Sequence, residues 1–517
     1  MKIVTVEEMQ SLEEQSLRNG GSVDDLIDMA GFAVAQKAKD FMGDIRGVQI
    51  LVLVGSGNNG SDGLMAARYL ADWGSQVTIY LTSARKKPDY NIRLLLDLNV
   101  SILDADEDVD RSELDGCLSQ TTLVIDAILG TGKSRAIQAS LSSVMSKLIE
   151  ARSVKPALKL LAVDMPSGLD ANSGEVDEFC PAADMTVALG FPKVGMFAFP
   201  GASRVGRLEV AGIGLSPELS QSVKQELITP DFVRQTLPDR PMDAHKGSFG
   251  KVFVIAGSDK YVGAASLACQ AASRVGAGLV TLAVSKRLQS LLAEKLTETT
   301  YVLLPEDNMV FSNDAADVIS YGLVGSQSLL VGCGLGQKPD VSQLIRRVLL
   351  GYQMNETPLV LDADALNILS SVPQWWLRIK GPAVLTPHPG EMARLVNLTP
   401  TAINADRVNI VRYWANKWNK VVVLKGAYTI IGDPGGSVRV SPFANASLAS
   451  AGTGDVLAGA IAGFLAQGLS TFDAATCAVY THGAAGDMAS REIGKVGVVA
   501  SDLLPRLPQA IKHLEPD

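Results

Sequence analysis

At 517 residues the chain is too long for one ordinary core, so two domains of roughly 200 to 300 residues are expected. With 47% apolar and 20% charged residues it is globular, and 46 basic against 55 acidic side chains, a net charge of −9, argue against a general nucleic-acid binder. Five scattered cysteines without a C-x-x-C pair fit a reducing compartment, the N-terminus lacks the apolar core of a signal peptide, and no apolar run reaches the roughly 18 residues that span a bilayer, so a soluble cytoplasmic protein is expected.

Residues Val6 to Lys39 carry helical periodicity, with Leu26, Ile27, Ala30, Val34 and Ala38 on one face. The apolar run Gln49 to Val54 is too short for a helix and reads as a buried parallel strand. It opens into Gly55-Ser-Gly-Asn-Asn-Gly-Ser-Asp-Gly63, followed by a predicted helix from Leu64 to Trp73 and a strand from Gln76 to Leu81, a βαβ unit with its glycine loop where ligands bind in open α/β sheets. Gly55, Gly57 and Gly60 satisfy G-x-G-x-x-G, but Thr82-Ser-Ala-Arg-Lys-Lys87 replaces the acid that would read a ribose hydroxyl. An NADP-type basic site fits there. Asn58, Asn59 and Asp62 add oxygens that suit a hard cation beside a phosphate, or else serve as turn formers.

Two later strands end in comparable turns. Thr122 to Asp126 runs into Ala127-Ile-Leu-Gly-Thr-Gly132, and Lys159 to Asp164 runs into Met165-Pro-Ser-Gly-Leu-Asp170. Parallel pairing would gather Asp126, Asp164, Ser167 and Asn59 at one sheet edge, while Asp170 reads as a helix cap. Short strands follow near Met185 to Leu189 and Arg207 to Val210.

These motifs, G-S-G-N-N-G-S-D-G, I-D-A-I-L-G-T-G and V-D-M-P-S-G-L-D-A-N-S-G, together resemble the NAD(P)H-hydrate epimerase domain over residues 1–217. The resemblance implies a Rossmann-like fold and interconversion of the R and S epimers of hydrated NAD(P)H. It implies a potassium ion held by Asn59, Asp126 and Ser167. It also implies substrate contacts from Asn58, Asn59, Gly60, Ser61 and Asp62, from Gly130, Thr131, Gly132, Lys133, Ser134, Arg135 and Ala136, and from Asp164 as the acid–base group. The chain departs from the usual N-N-G-G-D at Ser61, which should be tolerated unless that position needs positive φ, and carries Lys133 where a more apolar residue is usual.

From Ser216 to Asp243 the pattern loses strands and gains Pro217, Pro230, Pro238 and Pro241, which marks a boundary. Beyond it come a strand at Val252 to Ala256, a loop, a small-residue helix from Ala264 to Val275, and strands at Leu279 to Val284, Leu329 to Val331, Leu359 to Asp362, Ala383 to Thr386 and Val421 to Lys425. That alternation is α/β with a largely parallel sheet, and Gly432 to Ser437 closes a hairpin. The strand ends carry Val331-Gly-Cys-Gly-Leu-Gly336, Asp362-Ala-Asp-Ala-Leu-Asn367, Thr386-Pro-His-Pro-Gly-Glu391 and Lys425-Gly-Ala-Tyr-Thr429. His388 sits between two prolines; His245, His482 and His513 receive no role.

Near the C-terminus, Asn445 to Phe464 passes through Ala451-Gly-Thr-Gly-Asp455 into an apolar run, a loop feeding a buried helix. Its free N–H groups and positive dipole end suit a phosphate. Asp455 beside a phosphate would be repulsive unless it takes a proton from an attacking hydroxyl; the alternative is a first-turn charge that the dipole stabilises.

N-A-S-L-A-S-A-G-T-G-D, V-L-T-P-H-P-G-E and V-L-D-A-D-A-L-N resemble the ribokinase-like superfamily and, within it, the nucleotide-dependent NAD(P)H-hydrate dehydratases, over residues 228–517. The resemblance implies phosphorylation of the ring hydroxyl and loss of phosphate, ADP giving AMP, with magnesium carried on the nucleotide phosphates. Asp455 would activate the hydroxyl. Ala264, Gly336, His388 and Asp455 would contact the hydrated coenzyme, and Lys425, Gly426, Ala427, Tyr428, Thr429 and Gly454 the nucleotide. A homo-oligomer without nucleic-acid or membrane partners is expected. The rival readings are a small-alcohol kinase of the hydroxymethylpyrimidine type fused to a Rossmann-like domain, and an N-terminal domain that only binds.

Overall fold

The computed structural model describes residues 1–85, 90–132, 137, 139–351 and 357–515. They divide into two compact units, Met1–Val223 and Lys224–Asp517.

The N-terminal unit is built on seven strands: β1 (Gln49–Val54), β2 (Gln76–Leu81), β3 (Ser101–Asp104), β4 (Leu123–Ala127), β5 (Lys159–Val163), β6 (Met185–Leu189) and β7 (Arg207–Ala211). They lie in the order β3-β2-β1-β4-β5-β6-β7, and every pair is parallel. β1, β4 and β6 are apolar along nearly their whole length because helices cover both faces of the sheet. The order reverses between β1 and β4, so the turns after these strands open a crevice at the carboxyl edge.

The C-terminal unit contains β8 (Gln225–Leu227), β9 (Lys251–Ile255), β10 (Leu279–Ser285), β11 (Thr300–Leu304), β12 (Glu306–Asp307), β13 (Val310–Phe311), β14 (Ser328–Val331), β15 (Leu359–Leu361), β16 (Ala383–Leu385), β17 (Val421–Leu424), β18 (Ile430–Gly432) and β19 (Val438–Val440). Ten of them form one sheet in the order β11-β10-β9-β14-β15-β16-β17-β18-β19-β8, parallel except at β17-β18-β19; β12 and β13 pair apart as a small hairpin. Here the order reverses between β9 and β14. The helix Thr453–Ala466 is buried from Val456 to Ala466 and lies against the helix Val262–Arg274. Small residues permit this contact: a Cβ on Gly459 would stand 2.1 Å from the Ala268 carbonyl oxygen.

Four expectations change. The periodic stretch Val6 to Lys39 is two helices, Val6–Arg18 and Val23–Met42, because Gly20 takes φ +96° and Ser22 caps a new start. The glycine loop after β1 is only Gly55 to Gly57; the helix begins at Asn58, six residues earlier than predicted, so Asn58 to Asp62 present helical side chains instead of turn oxygens. The proline-rich boundary is not strandless, since β8 pairs with β19 at the sheet edge and a helix spans Pro230–Thr236. Asp170 caps a turn instead of a helix, accepting the N–H groups of Asn172 at 3.0 Å and Ser173 at 2.7 Å. The strands β3 and β11 lie outside the predicted set; β3 is a four-residue edge strand, with too little pattern to read. Among the described residues no helix is long and apolar enough to cross a membrane.

Candidate active sites

In the N-terminal unit the three predicted strand ends do meet. Asp126, the penultimate residue of β4, is fully buried; it accepts the Ser167 N–H at 2.8 Å, the Ser167 hydroxyl at 2.6 Å and the Ile128 N–H at 3.3 Å. Burial pushes its carboxyl upward against these donors, and among the described residues no lysine or arginine pairs with it. Gly130 backs onto the Asn59 side chain, 3.2 Å from where a Cβ would stand. Asn59 is itself buried, and neither its amide oxygen nor its nitrogen has a partner among the described residues. An orphaned amide oxygen, a buried carboxylate and a hydroxyl form an oxygen set that fits a hard monovalent cation.

Asp164 follows β5 with φ +64°, a left-handed conformation uncommon outside glycine but tolerated by aspartate. Two anchors hold it. Its N–H donates to Val187 O at 2.8 Å, and its Oδ1 accepts the Leu189 N–H at 3.1 Å and the ammonium of Lys193. Lys193 is wholly buried and also donates to Leu189 O at 3.2 Å. This lysine was missed by the sequence reading; its signal is one charge inside Phe191-Pro-Lys-Val-Gly-Met-Phe197. Asp62, on the helix after the glycine turn, is buried near the same pair, and its carboxyl lies well above the ordinary range, through burial first and then the charges of Asp164 and Glu13, opposed by Lys193.

Ser61 lies within a helix and needs no positive φ. Its hydroxyl accepts Arg85 Nη2 at 2.8 Å, and Arg85 also reaches the carbonyls of Gly55 and Gly57. The basic end of β2 thus closes over the glycine turn. Asn58 is exposed, and Thr131 and Gly132 continue the turn after β4. Lys133, Ser134, Arg135, Ala136, and Lys86 and Lys87 of the basic run lie outside the described residues.

In the C-terminal unit a cavity of about 590 Å³ opens at the reversal between β9 and β14. It is lined by Ala264 and Gly336, with Asp455 on its wall, and the β12–β13 hairpin contributes Met309 and Phe311. Asp455 stands in the first turn of Thr453–Ala466, whose N-cap Gly452 has φ +91° and no room for a Cβ, Leu267 lying 2.7 Å away. Thr453 braces the turn by donating to Leu448 O and Ser450 O at 2.9 Å, and buried His482 contacts Thr453 O at 2.9 Å. The previously unassigned His482 is thus a prop; burial brings it down to about 4.

The carboxyls of Asp455 and Asp362 and the thiol of Cys333 cluster within 4.8 Å. Burial, then the charge of Asp362, raises Asp455 to about 6, with Cys333 and Lys425 pulling the other way. The Cys333 thiol is pushed well up by burial. Lys425 sends its ammonium to Asp362 at 2.7 Å and towards Glu391 at 3.8 Å; burial lowers it, but these carboxylates outweigh that and leave it raised. The ammonium is also 3.4 Å from where a Cβ of Gly454 would stand, so it lies beneath the glycine turn. Asp362 accepts the Thr386 hydroxyl at 2.6 Å.

His388 is the exposed N-cap of the helix Pro389–Val396, its Nδ1 accepting the Gly390 N–H at 3.0 Å, and it is not among the residues that line the cavity. The segment from Gly426 to Thr429 is bent through positive φ at Gly426 and Tyr428, and the largely buried Arg407 holds it by donating to Ala427 O at 2.6 Å and Leu424 O at 3.1 Å. Thr429 closes the bend on Gly426 O at 2.8 Å.

Comparison with known proteins divides the chain in the same manner. Residues 252–509 match the family described as NAD(P)H-hydrate dehydratase, and residues 23–195 match the YjeF-related protein N-terminus. The bifunctional NAD(P)H-hydrate repair enzyme Nnr of Moorella thermoacetica is 39% identical over 500 residues, covering 95% of this chain and 92% of its own. The Escherichia coli enzyme of the same name is 32% identical over 489 residues, covering 94% and 89%. A Bacillus subtilis structure described as an ADP/ATP-dependent NAD(P)H-hydrate dehydratase aligns with 56% of this chain and 99% of its own, at 32% identity and a TM-score of 0.48. The chain belongs to the bifunctional NAD(P)H-hydrate repair enzymes, which join an epimerase to a dehydratase.

Proposed function

We propose that Asp164 carries the acid–base chemistry of the epimerase and Asp455 that of the dehydratase, with ADP as the second substrate. Asp455 supports the second assignment most directly: a partly neutral carboxyl faces a cavity of about 590 Å³ from the positive end of a buried helix. A carboxyl near 6 is poised to accept a proton from an alcohol, while the N–H groups of Gly452 to Gly454 receive the charge on the transferred phosphoryl group. Ala264 and Gly336 share that cavity, which supports their contact with the hydrated coenzyme. Lys425 to Thr429 and Gly454 would contact the nucleotide, a reading supported by the closeness of the Lys425 ammonium to Gly454, and magnesium would arrive on its phosphates. ADP is converted to AMP and phosphate as the S epimer returns to NAD(P)H.

In the N-terminal unit, Asn59, Asp126 and Ser167 would hold potassium, which supplies positive charge beside the phosphates of the coenzyme. Free, mostly buried cysteines suit a reducing cytoplasm. Purified R and S epimers, each incubated with ADP, ATP or neither, test these assignments. Recovery of the reduced-nicotinamide absorbance from the S epimer only with ADP, and from the R epimer through the same protein, is expected. A phosphorylated alcohol without reduced nicotinamide would favour the small-alcohol kinase.

A further inference from the structure

The cavity of the C-terminal unit extends well beyond the carboxyl that would work in it. Asp455 stands at one end, clustered with Cys333 after β14 and Asp362 after β15. The lining continues past the β12–β13 hairpin to Asp259, on the loop after β9, and Arg287, on the helix Lys286–Leu292 after β10. β10 lies two strands from β14 and three from β15, so strand spacing alone separates the two ends by about 10–14 Å. A dinucleotide whose hydrated ring meets Asp455 can then lay its pyrophosphate and adenosine along this lining. Lys338 follows β14 and Lys260 follows β9, both exposed along the way and suited to the pyrophosphate. At the far end Arg287 and Asp259 form an ion pair at 2.6 Å, each side chain half-exposed. Among the described residues Arg287 Nη1 meets only the Met309 sulfur, at 3.5 Å, and a thioether is a weak acceptor. The guanidinium therefore keeps donors in reserve, and Asp259 has no further partner among the described residues.

We propose that Asp259 and Arg287 read the adenosine ribose of the hydrated coenzyme: Arg287 binds the 2′-phosphate of NADPH hydrate, and Asp259 accepts the 2′-hydroxyl of NADH hydrate. The two hydrates differ only in that phosphate, which stands in place of the hydroxyl. A guanidinium matches the first group and a carboxylate the second, as in dinucleotide sites generally. With NADPH hydrate the phosphate replaces Asp259 at the guanidinium. With NADH hydrate the ion pair stays and holds the carboxylate for the hydroxyl. The dehydratase therefore accepts both hydrates, and loss of either side chain moves its preference in the opposite direction from loss of the other. The inference rests on the placement of the hydrated ring at Asp455.

The test measures kcat/KM of the full chain for the purified S epimers of NADPH hydrate and NADH hydrate, each with ADP, by recovery of the reduced-nicotinamide absorbance. Arg287→Ala should lower the NADPH-over-NADH ratio by about 10-fold or more, through KM and not kcat. Asp259→Asn should raise the same ratio by about threefold or more. Arg287→Lys, which keeps the charge and loses the planar fork, should retain part of the ratio. Both side chains are half-exposed, so urea unfolding of these variants should match the wild type, and a general loss of structure would lower both hydrates together. A ratio left unchanged by Arg287→Ala or by Asp259→Asn overturns the inference. An Asp455→Asn chain that still restores either coenzyme overturns the placement of the ring instead, and the two failures are thereby distinct.

Discussion

The two units each set an aspartate and a buried lysine at the carboxyl edge of a parallel sheet, yet they divide the charge differently. In the N-terminal unit Lys193 binds Asp164, the proposed acid–base group, itself. In the C-terminal unit Lys425 binds Asp362 and Glu391, one step removed, and Asp455 is left at about 6 by burial and the charge of Asp362. The position of one ammonium therefore decides whether the working carboxyl sits in an ion pair or near neutrality. Acid–base chemistry at the hydrated ring carbon is proposed for the former; proton transfer from an alcohol near neutral pH is proposed for the latter.

The largest expected effect comes from removing the carboxyl of the C-terminal unit. Asp455→Asn should slow ADP-dependent recovery of reduced nicotinamide by about 10²–10⁴-fold while epimer exchange continues, read by absorbance and by separation of the epimers. Next, Lys193→Met leaves Asp164 buried without its cation and should destabilise the N-terminal unit by about 3–5 kcal/mol in urea unfolding, more than Asp164→Asn does. Equal losses from the two variants would show that the pair carries no such charge asymmetry.

The raised Asp455 gives a third effect with opposite signs in two measurements. Its folded value, about 6, lies above the ordinary 3.8, so between these values the folded state binds the extra proton and stability falls as pH rises. The loss is about 2 kcal/mol after discounting partial exposure, and Asp455→Asn should flatten it. Dehydratase kcat/KM should climb over that same window as the base forms. A fourth effect, of similar size in stability but without consequence for the pH profile, concerns the helix that carries Asp455. Gly459→Ala would press a methyl against the Ala268 carbonyl and should cost about 1–3 kcal/mol of C-terminal stability by thermal or urea unfolding.

Most of both sheets was legible because their strands are short apolar runs ending in glycine turns, as at Val54-Gly55 and Val331-Gly332. The meeting of Asp126 with Ser167, and of Asn59 with the turn after β4, followed from parallel pairing. The start of the helix at Asn58 was hidden because glycines and asparagines favour turns locally, whereas the packing of Gly63 against Ala127 favours a helix. Lys193 was hidden for another reason. Its value lies in a partner 29 residues away, and no local pattern marks which lysine will be buried. Asp362 and Glu391 were visible at strand ends, but their bond to Lys425 spans 63 and 34 residues and depends on the order of β15, β16 and β17.

The most direct measurement supplies pure R epimer with ADP to three full-length proteins and follows reduced nicotinamide and both epimers together. The wild type should restore the coenzyme completely; Asp164→Asn should act only on S epimer supplied separately; Asp455→Asn should equilibrate the epimers and restore none. Repair of the R epimer by Asp164→Asn at the wild-type rate, or restoration of coenzyme by Asp455→Asn, would contradict the division of labour between the two aspartates.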